Sequence, residues 1–356
     1  MRILFIYTKI DNTLRDRVKR LREHNAKVDT LSLLEYKLDE NGSDVKFEID
    51  SKLEFLEDKG KLRVANRILK RKKLLEQLSA YDIIDIYKCE ETAFPLKKQV
   101  EDLCCCFFVT LKNEDISFVK RSLYSSIYKE ADFLIFSSKD MQNSFKLGDK
   151  SRYRYISEPI LLYEDIDNTS NDSISKAYQA MGIDPNKNII YCDLSSSIDR
   201  QLELIDDIAS MNRDILLNST FIFWLSAHDL DERESIKERL LEKNFDYLLV
   251  ETMMTRKQQA LIYKLCNASI ILSDQNSSLP ICLYAKHQIF LYKEAKIDDI
   301  FKESEFFMKS FDEFIDLDKK SDNTNDLLEK NHTKAKEIFD PENSIENYIS
   351  LIKELQ

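Results

Sequence analysis

Glycine is scarce in this sequence: the 356 residues contain only four, Gly42, Gly60, Gly148 and Gly182. Loops that cradle phosphate groups usually need glycine, because glycine adopts positive φ readily and lets the backbone approach a ligand closely. Neither a GxGxxG fingerprint nor a Walker loop occurs. Those motifs mark dinucleotide dehydrogenases and P-loop nucleotidases, so the sequence argues against an ordinary member of either class.

Long apolar runs are also lacking. No stretch of about 18 apolar residues occurs, which is the length needed to span a bilayer. The N-terminal MRILFIYTK has neither the long apolar region nor the small-residue cleavage site of a signal peptide. The seven cysteines, an odd number, are scattered through apolar segments, which is typical of buried, reduced thiols. We therefore expect a cytoplasmic protein.

Metal-binding patterns are missing as well. Cys104, Cys105 and Cys106 are adjacent, so alternate side chains point to opposite faces of a strand and form a poor single site. No two of the four histidines have metal-ligand spacing. We expect no metal site.

Positive charge is in deficit, with 53 Lys and Arg against 64 Asp and Glu and a net charge of −11. This balance argues against general nucleic-acid binding, which needs a broad basic surface. Residues 59–73 are an exception, with eight Lys or Arg and no acid. Within and just after this segment, Val64, Ile68 and Leu75 recur at helical spacing and would form an apolar stripe with basic flanks. This stripe predicts either contact with an anionic membrane surface or packing on the first domain's sheet.

Short apolar runs alternate with amphipathic stretches along the whole chain, a pattern typical of parallel α/β layers. In the first half the pattern predicts strands at 2–7, 27–33, 82–87, 104–111, 132–137 and 153–156. Helices are predicted between them at 11–24, 50–79, 92–102 and 115–130.

The alternation is interrupted once and then restarts. Residues 161–187 are acidic and contain Asn and Ser, which predicts a linker. Strands are predicted after it at 188–193, 219–226, 246–250, 269–273 and 288–292. The predicted organisation is a Rossmann-like domain over 1–160, a linker over 161–187, a second Rossmann-like domain over 188–326, and a C-terminal helical segment over 327–356 with a break at Asp340-Pro341.

The order of these segments resembles the GT-B glycosyltransferases, specifically the large retaining family that uses nucleotide-sugar donors. YKEADFLIFSSKDMQNSFK is similar to the last strand of that family's first domain, and NIIYCDLSSSIDRQLELIDDIASM to the first strand and phosphate loop of its second domain. MTRKQQALIYKLCNASIILSDQNSSLPICLYAK resembles its donor-binding stretch, and IFDPENSIENYISLIKEL its closing helix. The resemblance implies an α/β fold of two Rossmann-like domains in which the C-terminal helix crosses back to the first domain. It also implies a nucleotide sugar as a substrate, without a separate cofactor.

Candidate donor-binding residues follow the strands of the second half. Ser195, Ser196 and Ser197, with Arg200 nearby, could supply hydroxyls, helix amides and one cation to a departing diphosphate, or could be an ordinary helix cap. By the resemblance, Glu251, Thr252 and Met253 correspond to the base-contacting loop. The remaining candidates follow two other strands: His228, Asp274, Gln275, Asn276, Ser277, Ser278 and Leu279.

The candidate acceptor-side residues follow strands of the first half, where ligands of α/β sheets bind. They are Thr8, Lys9, Lys88, Glu90 and Lys112. Lys112 occupies the position where the resembled family usually has a histidine. No catalytic residue is predicted.

Two functions follow from this sequence. The first is a glycosyltransferase that moves a sugar from a nucleotide-sugar donor to a glycan, lipid-linked or protein acceptor. The second is a GT-B fold without catalysis that serves as a binding or scaffolding partner in a glycosylation system. The second arises because Gln275 and Leu283 stand where the resembled family has two acids. Either protein is expected in the cytoplasm, with attachment to the inner face of the membrane as an alternative.

Overall fold

Strands and helices alternate along the chain, as the periodicity predicts. The computed structural model describes residues 1–7, 10–32, 37–40, 43–46, 78–87, 105–112, 131–146, 149–194, 196–225, 229–273, 278–316 and 322–355. They divide into two compact units, the first comprising Met1–Pro159 with Pro341–Gln356 and the second comprising Ile160–Asp340. In the part of the chain that the structure describes, no helix is both long and apolar enough to cross a bilayer.

The described residues of the first unit form an eight-stranded sheet in the order β4-β3-β2-β1-β5-β6-β7-β8. Six of its strands, β2, β1 and β5 to β8, are parallel, and β3 and β4 form an antiparallel extension. The strands are β1 (Arg2–Tyr7), β2 (Lys27–Ser32), β3 (Lys37–Glu40), β4 (Ser43–Lys46), β5 (Ile83–Tyr87), β6 (Cys106–Leu111), β7 (Phe133–Phe136) and β8 (Tyr153–Tyr155).

The described helices of this unit are α1 (Asn12–Glu23), α2 (Lys139–Ser144) and the C-terminal helix α12 (Pro341–Lys353). Helix α1 starts at Asp11, whose side chain accepts the Leu14 N–H at 2.8 Å. Its Leu14, Val18 and Leu21 recur at helical spacing and are buried against the sheet. The predicted helices 92–102 and 115–130, and nearly all of 50–79, lie outside the described residues.

The C-terminal helix packs on the first unit through Tyr348, which is fully buried. Its ring lies 5.8 Å from that of Phe5 and 6.1 Å from that of Phe108. The Tyr348 hydroxyl donates to Asp85 Oδ2 at 2.7 Å, and Thr110 Oγ1 donates to Asp85 Oδ1 at 2.9 Å. These donors satisfy a carboxyl that would otherwise be costly to bury in a central strand.

Burial raises the pKa of Asp85 above its ordinary value, against the opposing effects of the Tyr348 hydroxyl and the Arg17 charge. The Arg17 guanidinium is itself buried, with its carbon 5.2 Å from the Tyr348 ring centre and 5.9 Å from that of Tyr87. A buried polar cluster therefore joins α12, α1 and β5.

In the second unit, the residues that the structure describes form a six-stranded parallel sheet in the order β11-β10-β9-β12-β13-β14. Its strands are β9 (Asn188–Cys192), β10 (Ser219–Trp224), β11 (Tyr247–Val250), β12 (Ala268–Ser273), β13 (Gln288–Lys296) and β14 (Lys309–Ser310). Its helices are α3 (Tyr163–Asp167), α4 (Asn171–Met181), α5 (Ile198–Ala209), α6 (Arg213–Leu217), α7 (Leu230–Leu241), α8 (Arg256–Leu265), α9 (Ser278–Tyr284), α10 (Asp299–Glu303) and α11 (Asp322–Phe339).

The segment 161–187, expected as a linker, contains α3 and α4 and belongs to the second unit. Ile166 and Ala177 are buried in that unit's apolar core, so these helices pack although their composition is acidic and polar. The C-terminal segment is divided between the units at Asp340 and Pro341, where the sequence predicts a break. Proline removes a backbone donor and is tolerated in the first turn of a helix, which explains the restart at α12.

The predicted strands are confirmed to within two residues at each end, except that β13 continues past its predicted end at Tyr292 to Lys296. Strands β3, β4 and β14 are not predicted from the sequence. Strands β4 and β14 are the outermost strands of their sheets, and β3 is next to β4. Short polar strands at such positions carry little hydrophobic periodicity.

His287 is a fully buried polar residue of the second unit. Its Nε2 lies 2.6 Å from the Tyr263 carbonyl oxygen, which can only accept, so Nε2 carries the proton. Its Nδ1 then accepts from Ser269 Oγ at 2.6 Å. Burial lowers the pKa of His287 to about 4, so the folded protein holds this imidazole neutral.

This burial predicts acid sensitivity. Between an unfolded pKa of about 6.5 and the folded value of about 4, the unfolded chain binds a proton that the folded chain excludes. As the pH is lowered through that window, the free energy of unfolding should therefore fall by about 1.4 kcal/mol per pH unit because of this group alone. Urea unfolding at pH 7, 6 and 5 should show a shallower fall for His287→Gln than for the wild type.

Equal slopes for His287→Gln and the wild type would contradict the buried, neutral imidazole.

Candidate functional site

The strand order of the second unit reverses between β9 and β12. Strands β10 and β11 extend the sheet on one side of β9, whereas β12, β13 and β14 extend it on the other. Because all six strands are parallel, their carboxyl ends lie along one edge. Ligands of open α/β sheets bind outside the carboxyl ends at such a reversal.

Asp193 lies at this reversal, directly after β9, and is 2% exposed. Its Oδ2 accepts the N–H of Ser273, the last residue of β12, at 3.4 Å. Its own N–H donates to the Ile270 carbonyl at 2.9 Å. The carboxylate thus joins the ends of the two strands. Asp193 is absent from the sequence candidates, because one polar residue at the end of an apolar run is a common feature of strands.

Two tyrosines lie close to Asp193. The rings of Tyr191 and Tyr263 are 5.3 Å apart. Burial, followed by the neighbouring Tyr263 and Asp193, raises the pKa of Tyr191 well above its ordinary value. Both phenols are therefore neutral hydrogen-bonding groups at physiological pH.

The turn between β9 and α5 contains the candidates Ser196 and Ser197; Ser195 lies outside the described residues. Ser197 is the residue that caps α5, but its side chain makes no capping hydrogen bond. The turn is held instead by Gln201, whose Nε2 donates to the carbonyls of Leu194 at 2.8 Å and Ser196 at 2.7 Å. Amides in the first turn of a helix have no partner within the helix, so this end of α5 suits an anion.

Gln201 is 1% exposed, and its Oε1 has no hydrogen-bond partner among the described residues. The sequence analysis did not identify this residue. Its spacing in α5 is that of an inward-facing position, which normally predicts an apolar side chain.

Arg200 lies in the first turn of α5 and its guanidinium donates to the Lys293 carbonyl of β13. The guanidinium carbon is 6.0 Å from the centre of the Tyr292 ring. Lys293 Nζ is in turn paired with Glu203 at 2.9 Å and Asp207 at 2.5 Å. Arg200 is therefore engaged by β13 and shares the turn with Ser196 and Ser197.

Glu251, Thr252 and Met253 directly follow β11 and are exposed, with Met253 84% exposed. Glu251 pairs with Lys237 of α7 at 2.8 Å. The loop is accessible to a ligand, and its one charged candidate already has an ion-pair partner.

The other donor-side candidates follow β10 and β12. His228, Asp274, Gln275, Asn276 and Ser277 lie outside the described residues. Ser278 begins α9, is 2% exposed, and its Oγ has no hydrogen-bond partner in the described part of the chain.

The Leu279 side chain is fully buried in the apolar core of the second unit, and its contact with the donor stays a prediction. The Leu-Pro pair that marks this helix start is partly a packing feature, because both side chains are buried.

Lys112 is the described acceptor-side candidate, and Thr8, Lys9, Lys88 and Glu90 lie outside the described residues. It follows β6 at the carboxyl edge of the first sheet and is 7% exposed. Its Nζ lies 2.9 Å from Asp11 Oδ2 and 2.9 Å from Glu158 Oε1. Two carboxylates therefore compensate one buried ammonium.

Asp11 and Glu158 differ in how fully they are bonded. Asp11 accepts from the Leu14 N–H, the Tyr87 hydroxyl and Lys112. Glu158, with a side chain 33% exposed, is bonded among the described residues through Oε1 to Lys112, which leaves its second oxygen able to accept from a hydroxyl group. Neither acid is predicted from the sequence, because both meet Lys112 only through the fold.

The first unit also has a groove of about 500 Å³ beside α1. Arg15, Lys19 and Arg22 contribute to its lining, together with Glu23. These three cations recur on one side of the helix and give the groove a basic wall.

Similar folds occur among solved structures, although no family model matches this chain and no curated protein sequence does. A glycosyltransferase from Rickettsia africae superposes with a TM-score of 0.71 and 12% identity, covering 99% of this chain and 98% of its own. Sucrose-phosphate synthase from Thermosynechococcus elongatus has a TM-score of 0.68 and 10% identity, covering 100% and 99%. HepE from Anabaena, solved in complex with UDP, has a TM-score of 0.66 and 12% identity, covering 99% and 100%.

These likenesses establish the fold. The chain has the GT-B architecture over its whole length, as the resemblance in sequence order implies. Identities of 10–12% do not transfer an activity, so function has to be argued from the residues at the two carboxyl edges.

Proposed function

We propose that this protein is a glycosyltransferase that moves a sugar from a nucleotide-sugar donor to a glycan or lipid-linked acceptor. The similarity of the whole chain to GT-B structures carries the proposal. Among them is HepE from Anabaena, which was also solved in complex with UDP-glucose; it has a TM-score of 0.63 and 12% identity. The nucleotide sugar is a substrate, and we propose no separate cofactor.

The donor is proposed to bind at the carboxyl edge of the second unit. Transfer leaves a diphosphate, and stabilising it requires amides or cations aimed at the departing oxygens. The first turn of α5, with Ser195, Ser196, Ser197 and Arg200, supplies both. We further propose that His228 and the loops 251–253 and 274–278 complete the donor site.

The acceptor is proposed to bind at the carboxyl edge of the first unit. Lys112 pairs with one oxygen of Glu158, and the other has no partner in the part of the chain that the structure describes, which suits an acceptor hydroxyl. Thr8, Lys9, Lys88 and Glu90 are proposed to complete this side. The basic groove beside α1 supports an acceptor that carries negative charge.

A catalytically inactive binding or scaffolding partner of a glycosylation system is the second candidate. One observation favours it: the group at the strand reversal of the second unit is a buried acid, Asp193, and the nearby Arg200 is engaged with a backbone carbonyl. A carboxylate at that point repels a diphosphate.

A thermal-shift screen with UDP-, GDP-, ADP- and CMP-sugars tests the proposed function. A donor present at about 100 times its dissociation constant should add ~2.7 kcal/mol to the free energy of unfolding. The stabilising donor should then release its nucleotide during turnover. Stabilisation without turnover would favour the inactive partner, and no stabilisation by any nucleotide sugar would refute donor binding.

We also propose a cytoplasmic location with reversible attachment to an anionic membrane surface through residues 59–73, which lie outside the described residues. Each Lys or Arg near such a surface contributes about 1 kcal/mol. Four contacts would give salt-sensitive binding, as expected for an enzyme with a lipid-linked acceptor.

Co-sedimentation with vesicles containing anionic lipid tests this attachment. The wild type should sediment at low salt and be released at high salt. Changing Lys70, Arg71, Lys72 and Lys73 together to Gln should abolish sedimentation. The control variant loses the same number of positive charges elsewhere: four exposed lysines of the second unit are changed to Gln, namely Lys257, Lys264, Lys330 and Lys336. Equal sedimentation of both quadruple variants would contradict the proposal.

A further inference from the structure

Strand β13 has an irregularity beside the strand reversal of the second unit. Ile271 of β12 pairs with Leu291, but two residues later Ser273 pairs with Lys296. Extra residues of β13 therefore lie opposite a shorter stretch of β12, which is a bulge. Glu294 within it has a φ of 46°, a left-handed conformation that is unfavourable for a residue other than glycine, Asn or Asp.

The bulge brings Lys296 level with the carboxyl end of β12. Ser273, its partner in the register, donates its N–H to Asp193 at the end of β9. Asp193, Ser273 and Lys296 therefore lie at the carboxyl ends of three neighbouring strands. Without the extra residues, this lysine would lie beyond the paired end of the strand. Bulges are common next to active sites, where they redirect a side chain.

Lys296 differs from the other cations near this edge because it has no ion pair among the described residues, and it is exposed. Lys293, three positions earlier on the same strand, is paired with Glu203 and Asp207. Arg200 donates to the Lys293 carbonyl. Lys296 ends a strand that is separated from Asp193 by β12 alone. Among the described cations of this edge, this exposed lysine is the one most available to an anionic ligand.

Ser278 provides a second, independent observation. It begins the helix that follows β12, and its hydroxyl is buried without a partner in the described part of the chain. Such a group costs free energy unless a ligand or water bonds to it. A ligand oxygen that bonds to this hydroxyl would remove that cost.

We propose that Lys296 binds the diphosphate of the nucleotide-sugar donor and offsets the negative charge of Asp193. The inference rests on the proposed function and adds a residue that neither the sequence candidates nor the resemblance contains. Lys296, which the bulge places at the end of β13, would neutralise part of the diphosphate charge. The turn after β9 would neutralise another part.

Isothermal titration calorimetry with nucleoside diphosphates on the full-length protein tests this role. UDP, GDP and ADP are titrated into the wild type, and the tightest binder is then titrated into each variant. Lys296→Met should bind that ligand with roughly ten-fold lower affinity than the wild type, corresponding to about 1.4 kcal/mol. The difference in affinity between the two proteins should shrink at high salt. Lys296→Arg should bind within three-fold of the wild type, because the charge is kept.

The matched control is Lys293→Gln, which removes a lysine of the same strand whose ammonium is already paired. It should bind like the wild type. The corresponding nucleoside, which lacks the diphosphate, should bind the wild type and Lys296→Met equally.

The outcomes separate the two claims. Equal diphosphate binding by the wild type and Lys296→Met would overturn the role of Lys296 alone. A loss of nucleoside affinity in Lys296→Met would also overturn it, because the effect would not act through the diphosphate. If the wild type binds none of the three diphosphates, the proposed function falls as well.

Discussion

Parallel strand pairing in the second unit is the constraint on which the candidate site depends. The segments that connect the strands all return the chain to the same edge of the sheet, so every strand runs in the same direction. All carboxyl ends therefore lie along the opposite edge. The order then reverses between β9 and β12, which separates the connections that follow those strands. Asp193 joins the two strand ends across the reversal. The first amides of α5 and Lys296 lie at this one edge. The buried Ser278 hydroxyl, which has no partner among the described residues, begins the helix that follows β12.

The first unit has the same reversal, between β1 and β5, but uses it differently. At the carboxyl edge of this sheet, Lys112 forms ion pairs with two carboxylates. The sheet also contacts the C-terminal helix through the hydrogen bond that Tyr348 donates to Asp85. Buried polar groups of this kind must be satisfied together, because removing one partner leaves another group unpaired in a low dielectric. The C-terminal helix is thus part of the first unit's core although it is distant in sequence.

The fold could be predicted from the sequence because hydrophobic periodicity is local. The strand ends, the restart after residue 187 and the break at Asp340 and Pro341 all follow from short windows. The segment 161–187 was misjudged as a linker, since a few apolar residues such as Ile166 and Ala177 suffice to dock its helices. The sequence does not identify Asp193, Glu158 or Lys296. Each is paired with a residue that is distant in sequence, by 80, 46 and 23 positions respectively, and only the fold brings the partners together.

The central claim is that the carboxyl edge of the second unit binds the diphosphate of a nucleotide sugar. A crystal structure of the full-length protein grown with saturating UDP tests it most directly. The account predicts diphosphate density at the end of β12, within hydrogen-bond distance of the Lys296 ammonium and of the first amides of α5. Density for UDP at any other place on the molecule, or ordered crystals with this edge filled by solvent alone, would contradict the account.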